Sequence, residues 1–144
     1  MKISLAWLQD VAFSAQTEGG HRIVFDGPPT HGGKNRGARP MEGVLAASAA
    51  CSAFDVVNIL KKSKQIPESL EMEITAERAA QEPAIFTKIH LKFTLSGQKL
   101  RPPTVTRAIA LSVEKYCSAL AMLNKTAKVS HSWEIKPISE SPAS

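Results

Sequence analysis

The most informative feature of this chain is what it has little of. No apolar run approaches the roughly 20 residues that span a bilayer, so a membrane helix is not expected. The first ten residues, M-K-I-S-L-A-W-L-Q-D, hold one lysine and a short apolar stretch broken by Ser4, which is no secretory signal. Cysteine is scarce, with two in 144 residues. Without a signal, two thiols point to the cytoplasm, where disulfides are transient rather than structural. The four histidines (His21, His31, His90, His131) form no closely spaced set, so neither a metal nor a bound cofactor is expected. Aromatics make up only 6%, and the net charge of +5 is spread along the chain. The tightest basic groups are Lys34, Arg36, Arg39 and Lys61, Lys62, Lys64, without interleaved aromatics or a nucleic-acid motif. A nucleic-acid partner is therefore not expected. Repeats and low-complexity segments are absent.

What remains is 43% hydrophobic and 22% charged, the balance of a soluble globular protein. Its length suits one domain over residues 1–137, followed by a disordered tail at 138–144.

One stretch dominates, Arg39 to Leu60. From Val44 to Leu60 only Ser48, Ser52, Asp55 and Asn58 are polar. Pro40 fits the first helical position and Glu42 suits the positive end of the dipole. Apolar nearly all round, this helix must be wrapped by other structure. Cys51 lies in its middle.

Around it the chain reads as strands. Lys2–Leu8 alternates, Val11–Thr17 follows more weakly, and Glu18-Gly19-Gly20 turns the chain into His21–Phe25. Asp26–Ala38, with two prolines and four glycines, is a loop; its glycines match neither dinucleotide nor P-loop spacing. Leu70–Glu77 and Lys88–Leu95 alternate as a hairpin, acidic outside on one strand and basic outside on the other. His90 lies on that solvent face. Pro102 and Pro103 open a second helix with Cys117 near its end, then a short helical piece. Val129–Ile135 is a final strand whose His131 shares the apolar side. The slow alternation of strands and helices reads as α+β with mostly antiparallel sheets.

The cysteines are 66 residues apart. No histidine is placed against either as a hydrolase would require. Thiol redox chemistry and inert burial both remain open.

Pro40-Met41-Glu42, the small-residue helix through Ala49-Ala50-Cys51 with D-V-V-N-I-L after it, and Glu114-Lys115-Tyr116-Cys117 together resemble the OsmC/Ohr family. The likeness covers nearly the whole chain and is nearest an OsmC-like branch with P-M-E. It implies an intertwined homodimer, antiparallel sheets wrapped around two central helices, with active sites at the subunit interface. It also implies reduction of small hydrophobic organic hydroperoxides, with Cys51 peroxidatic, Cys117 resolving and a dihydrolipoyl-type dithiol as reductant. The peroxidase branch has its glutamate directly after the proline, where this chain has Met41, and an arginine after Gly-Gly, where this chain has His21. The proline usual after the second cysteine is Ser118.

Glu42 and Cys51, nine residues apart, would lie about 13 Å apart along one helix and on opposite sides. Glu42 therefore serves either as a helix-terminal acid or as a partner to Cys51 of a second copy. A mid-helix thiol among apolar residues needs a cation to ionise. Arg39 is favoured because it abuts the motif, and Arg36 and Arg22 are the others. The expected function is a cysteine-based peroxidase; the alternative is a non-catalytic small-molecule binding or redox-sensing protein.

Overall fold

The computed structural model describes residues 1–137; the expected tail at 138–144 lies outside the described residues. The chain divides into two compact units, Met1–Ala46 and the remainder from Ala47.

In the first unit, β1 (Ile3–Gln9), β2 (Ala12–Thr17) and β3 (Arg22–Phe25) form an antiparallel meander. Gly20, at φ 86°, supplies the left-handed residue of the β2–β3 turn, a conformation that costs glycine nothing. Period-2 alternation puts Ile3, Leu5 and Trp7 on one side, with Ile23 two strands away opposite Ala15, itself opposite Leu5. That row stays bare: Leu5 is 64% exposed and Trp7 70%. The expected loop follows, with a single 3-10 turn at Pro29–His31 and an isolated parallel bridge from Ala38 to Phe25. Asp26 organises it. The buried carboxylate accepts the backbone N–H of Gly27 at 2.8 Å, Lys34 at 3.0 Å and Arg36 at 3.1 Å. The glycine-rich loop thus closes around an anion the chain itself provides.

The helix α1 (Pro40–Lys62) begins where Pro40 and Glu42 place it. Glu42 Oε1 accepts the Arg39 backbone N–H at 2.8 Å, the acid half of a capping box. Gly43 is needed because a Cβ there would run into the Phe25 ring.

In the second unit, β4 (Ser69–Arg78) and β5 (Phe86–Ser96) pair antiparallel, with Glu73 opposite Lys92 and Glu77 opposite Lys88. Lys88 does reach Glu77, at 3.7 Å, whereas Lys92 turns instead to Glu134 at 4.0 Å. β6 (Lys128–Lys136) joins β5 in parallel, because α2 (Pro102–Leu111), a π-turn (Ser112–Tyr116) and α3 (Ser118–Leu123) cross over between them. Ile89, Leu91, Phe93 and Leu95 are buried to within 1% of full coverage, and His131 pairs with Leu91 on that apolar side. Val105, Ile109 and Leu120 complete the core.

At 23 residues, with a mean hydropathy of 1.7 over its most apolar 18-residue stretch, α1 is long and apolar enough to cross a membrane by length and composition alone, a test that core helices of soluble proteins also pass. Within one chain α1 is only partly covered. Only Ser48, Ser52, Val56 and Leu60 are buried, one stripe at i+4 spacing, while Phe54 is 67% exposed. The stripe that packs begins with two serines, since small side chains permit close approach between backbones. Much of the apolar surface faces outward.

Candidate functional site

The second unit brings Cys51 and Cys117 together. Cys51 projects from α1, half-buried, with a free thiol. Cys117 ends the π-turn: its N–H reaches the Ser112 carbonyl at 2.9 Å, five residues back, and its backbone then becomes extended. This break in the helical path caps α3, because the Cys117 sulfur accepts the Leu120 N–H at 3.5 Å. π-turns are rare and recur at functional sites, where they redirect one side chain. The Cys117 thiol also approaches the Ser48 carbonyl at 3.9 Å.

Cys51 lies near enough to Cys117 to influence its thiol. Cys117 is 1% exposed, and burial pushes its thiol up to about 11. The Leu120 and Ala119 N–H groups pull the other way, and Cys51 adds to the rise. Near neutral pH, Cys117 therefore keeps its proton. The half-buried sulfur is the reachable one and the sealed sulfur sits behind it as a protonated neighbour.

A serine clamp fixes this pairing. Ser52 and Ser112 hydroxyls meet at 2.8 Å, both fully buried. Ser112 Oγ also lies 3.0 Å from the Ser52 carbonyl and 3.2 Å from Asp55 Oδ2. Either hydroxyl can donate in the Ser52–Ser112 bond, and the single Ser112 proton has Ser52 Oγ, the Ser52 carbonyl and Asp55 Oδ2 as acceptors in reach. The clamp joins the turn of α1 after Cys51 to the π-turn before Cys117. Sequence reasoning passed over Ser52 and Ser112. The available signal was Ser48 and Ser52 at i, i+4 on an otherwise apolar helix, which marks a buried polar seam.

Arg39 and Glu42 belong to the first unit, at the start of α1. Arg36 bonds Asp10 at 3.1 Å and Arg22 bonds Ser14 at 2.8 Å, so both have partners. The Arg39 guanidinium makes one long contact, to the Gly37 carbonyl at 3.4 Å. Of the three candidate cations it is the least committed. Among the described residues no group of histidine, cysteine or carboxylate side chains could hold a metal ion.

Comparison with known proteins agrees with this arrangement of elements. A family model described as OsmC-like protein matches residues 32–132. Protein YhfA of Escherichia coli K12 is 38% identical over 135 residues, covering 94% of this chain and 98% of that protein. A solved structure of a hypothetical protein from Aquifex aeolicus superposes with TM-score 0.83 at 31% identity, covering 94% of this chain and 96% of that one. The organic hydroperoxide resistance protein OhrB of Bacillus subtilis shares the fold, with TM-score 0.61 at 13% identity over 92% of this chain and 96% of its own. The chain belongs to the OsmC-like protein family.

Proposed function

We propose that this protein is a thiol-dependent peroxidase for small hydrophobic organic hydroperoxides, acting in the cytoplasm. The observation that carries the reading is the proximity of a half-buried Cys51 to a sealed, protonated Cys117 that lies 66 residues away in the chain. The Cys51 thiolate attacks the O–O bond, becomes a sulfenic acid and releases the alcohol. Cys117 then attacks that sulfur; its proton leaves with the hydroxyl as water and a Cys51–Cys117 disulfide forms. An external dihydrolipoyl-type dithiol exchanges with the disulfide, is itself oxidised, and restores both thiols.

The working form is a homodimer. One chain leaves Trp7, Leu5 and Phe54 largely bare, more apolar surface than isolated exposed residues account for. In the dimer, Arg39 and Glu42 of one copy serve Cys51 of the other, Arg39 supplying the charge that favours the thiolate. The name of the Bacillus subtilis protein, an organic hydroperoxide resistance protein, supports the substrate class.

The test uses reduced protein and cumene hydroperoxide. Mass spectrometry shows the intramolecular disulfide, and added dithiol drives continuous peroxide consumption. If both thiols survive peroxide unchanged, the peroxidase reading is wrong.

A second reading, a non-catalytic small-molecule binding or redox-sensing protein, is favoured by Met41 after the proline and His21 after Gly-Gly. The capping bond from Glu42 to Arg39 favours it too, since it occupies a carboxylate oxygen. Turnover separates them: a sensor oxidises once and does not sustain dithiol-driven consumption.

A further inference from the structure

The second unit holds a groove of about 830 Å³ between the C-terminal half of α1 and the helix α2. That volume lies in the range of small-molecule sites, about 300–1,000 Å³. Its wall combines two kinds of surface. Lys62 and Arg107 line it with Asp55, and Ile59, Leu111 and the Tyr116 ring supply the apolar part.

The charges do not cancel. Asp55 is engaged by the Ser112 hydroxyl at 3.2 Å. Neither the Lys62 ammonium nor the Arg107 guanidinium has a side-chain hydrogen bond or ion pair among the described residues. One carboxylate against two cations leaves a net single positive charge on the lining. Lys62 lies in the last turn of α1, where a cation offsets the helix dipole, and that accounts for it without any ligand. The dipole does not account for Arg107, an exposed residue interior to α2. Arginine presents a planar fork suited to a carboxylate, whereas lysine offers a point charge. A dianion would meet the Asp55 carboxylate, so the net lining charge favours a monoanion. Tyr116, 51% exposed, and the half-buried Ile59 and Leu111 offer area to an apolar body.

We propose that this groove is a binding site for an organic monocarboxylate with an apolar chain or ring. The carboxylate pairs with Arg107 and Lys62, and the apolar part covers Ile59, Leu111 and Tyr116. The site adjoins the thiols along the chain, with Asp55 one turn after Cys51 and Tyr116 immediately before Cys117. It does not depend on thiol chemistry.

The experiment is a titration of the reduced full-length protein with sodium octanoate, 1-octanol and inorganic phosphate, read by calorimetry and amide chemical shifts. Octanoate is expected to saturate one site, shifting amides around Arg107 and Tyr116. It should bind at least about tenfold tighter than either octanol or phosphate. Lys62→Gln and Arg107→Gln, both surface changes whose folding is checked by circular dichroism, should each weaken octanoate about tenfold and leave octanol unchanged. Equal binding of octanol, equal binding of phosphate, unchanged binding in the double variant, or no binding at all overturns the proposal. The titration contains no peroxide, so its outcome is independent of whether the protein turns over hydroperoxides.

Discussion

Two buried acids in this protein receive backbone N–H donors, and they respond in opposite directions. At Asp26 the donors win. Arg36, Lys34 and Gly27 approach the carboxylate at 2.8–3.1 Å and hold its pKa below the usual 3.8, although burial opposes them. At Cys117 burial wins. The Leu120 N–H stands 3.5 Å from a sulfur, a weak acceptor, and the thiol rises to about 11. Donor number and acceptor strength decide which acid stays charged. The loop at Asp26 therefore encloses a fixed anion, and the π-turn at Cys117 encloses a fixed proton.

The comparison can be broken at either end. The largest expected effect is at the thiols. Cys51→Ser should reduce dithiol-driven peroxide consumption to background, and should also lower the Cys117 pKa, because one cause of its rise is gone. Iodoacetamide labelling against pH, followed by mass, shows the second effect as a profile moved to lower pH. Asp26→Asn comes next. The folded carboxylate has a depressed pKa, so the stability it contributes is complete above about 3.8 and is lost as pH falls through the folded value. The amide variant should melt lower at neutral pH and lose that acid-dependent component in thermal melts. A variant with unchanged acid dependence would show that the three N–H bonds do not bias the carboxylate.

The alkaline limb has the reverse sign. The folded Cys117 pKa exceeds its ordinary 9.0, so its contribution is full below that value and declines as pH climbs toward about 11. Cys117→Ala should flatten the stability profile between those limits. Smaller still is Ser112→Ala, which leaves buried Ser52 without its partner. Its expected cost is about 1–2 kcal/mol in urea unfolding, with slower closure of the Cys51–Cys117 disulfide. Smallest is Glu42→Gln, which keeps an oxygen for the Arg39 N–H and should change stability by about 0.5 kcal/mol or less. A peroxide rate that drops while stability holds would mark the Glu42 charge as part of the chemistry.

Much of this was legible from local pattern. The turn at Gly19-Gly20, the β4–β5 alternation and the start of α1 at Pro40 all depend on contacts a few residues long. Other features depend on what lies across the fold. β6 pairs in parallel because the crossover helices return the chain in the same direction, which no periodicity within Val129–Ile135 records. The serine seam was hidden because two serines in an apolar helix look like dilution until Ser112 stands opposite them. Asp26 looked like an ordinary loop residue until backbone donors eight and ten residues later closed on its carboxylate.

By itself the sequence determined the elements, the helix around Cys51 and the family likeness, because period, proline, glycine and motif spacing act over short stretches. Tertiary structure alone decided that Cys51 and Cys117 lie near one another, that burial holds the proton on Cys117, and which stripe of α1 is buried. Those outcomes turn on burial and on donors brought from distant segments, and only the folded chain sets them.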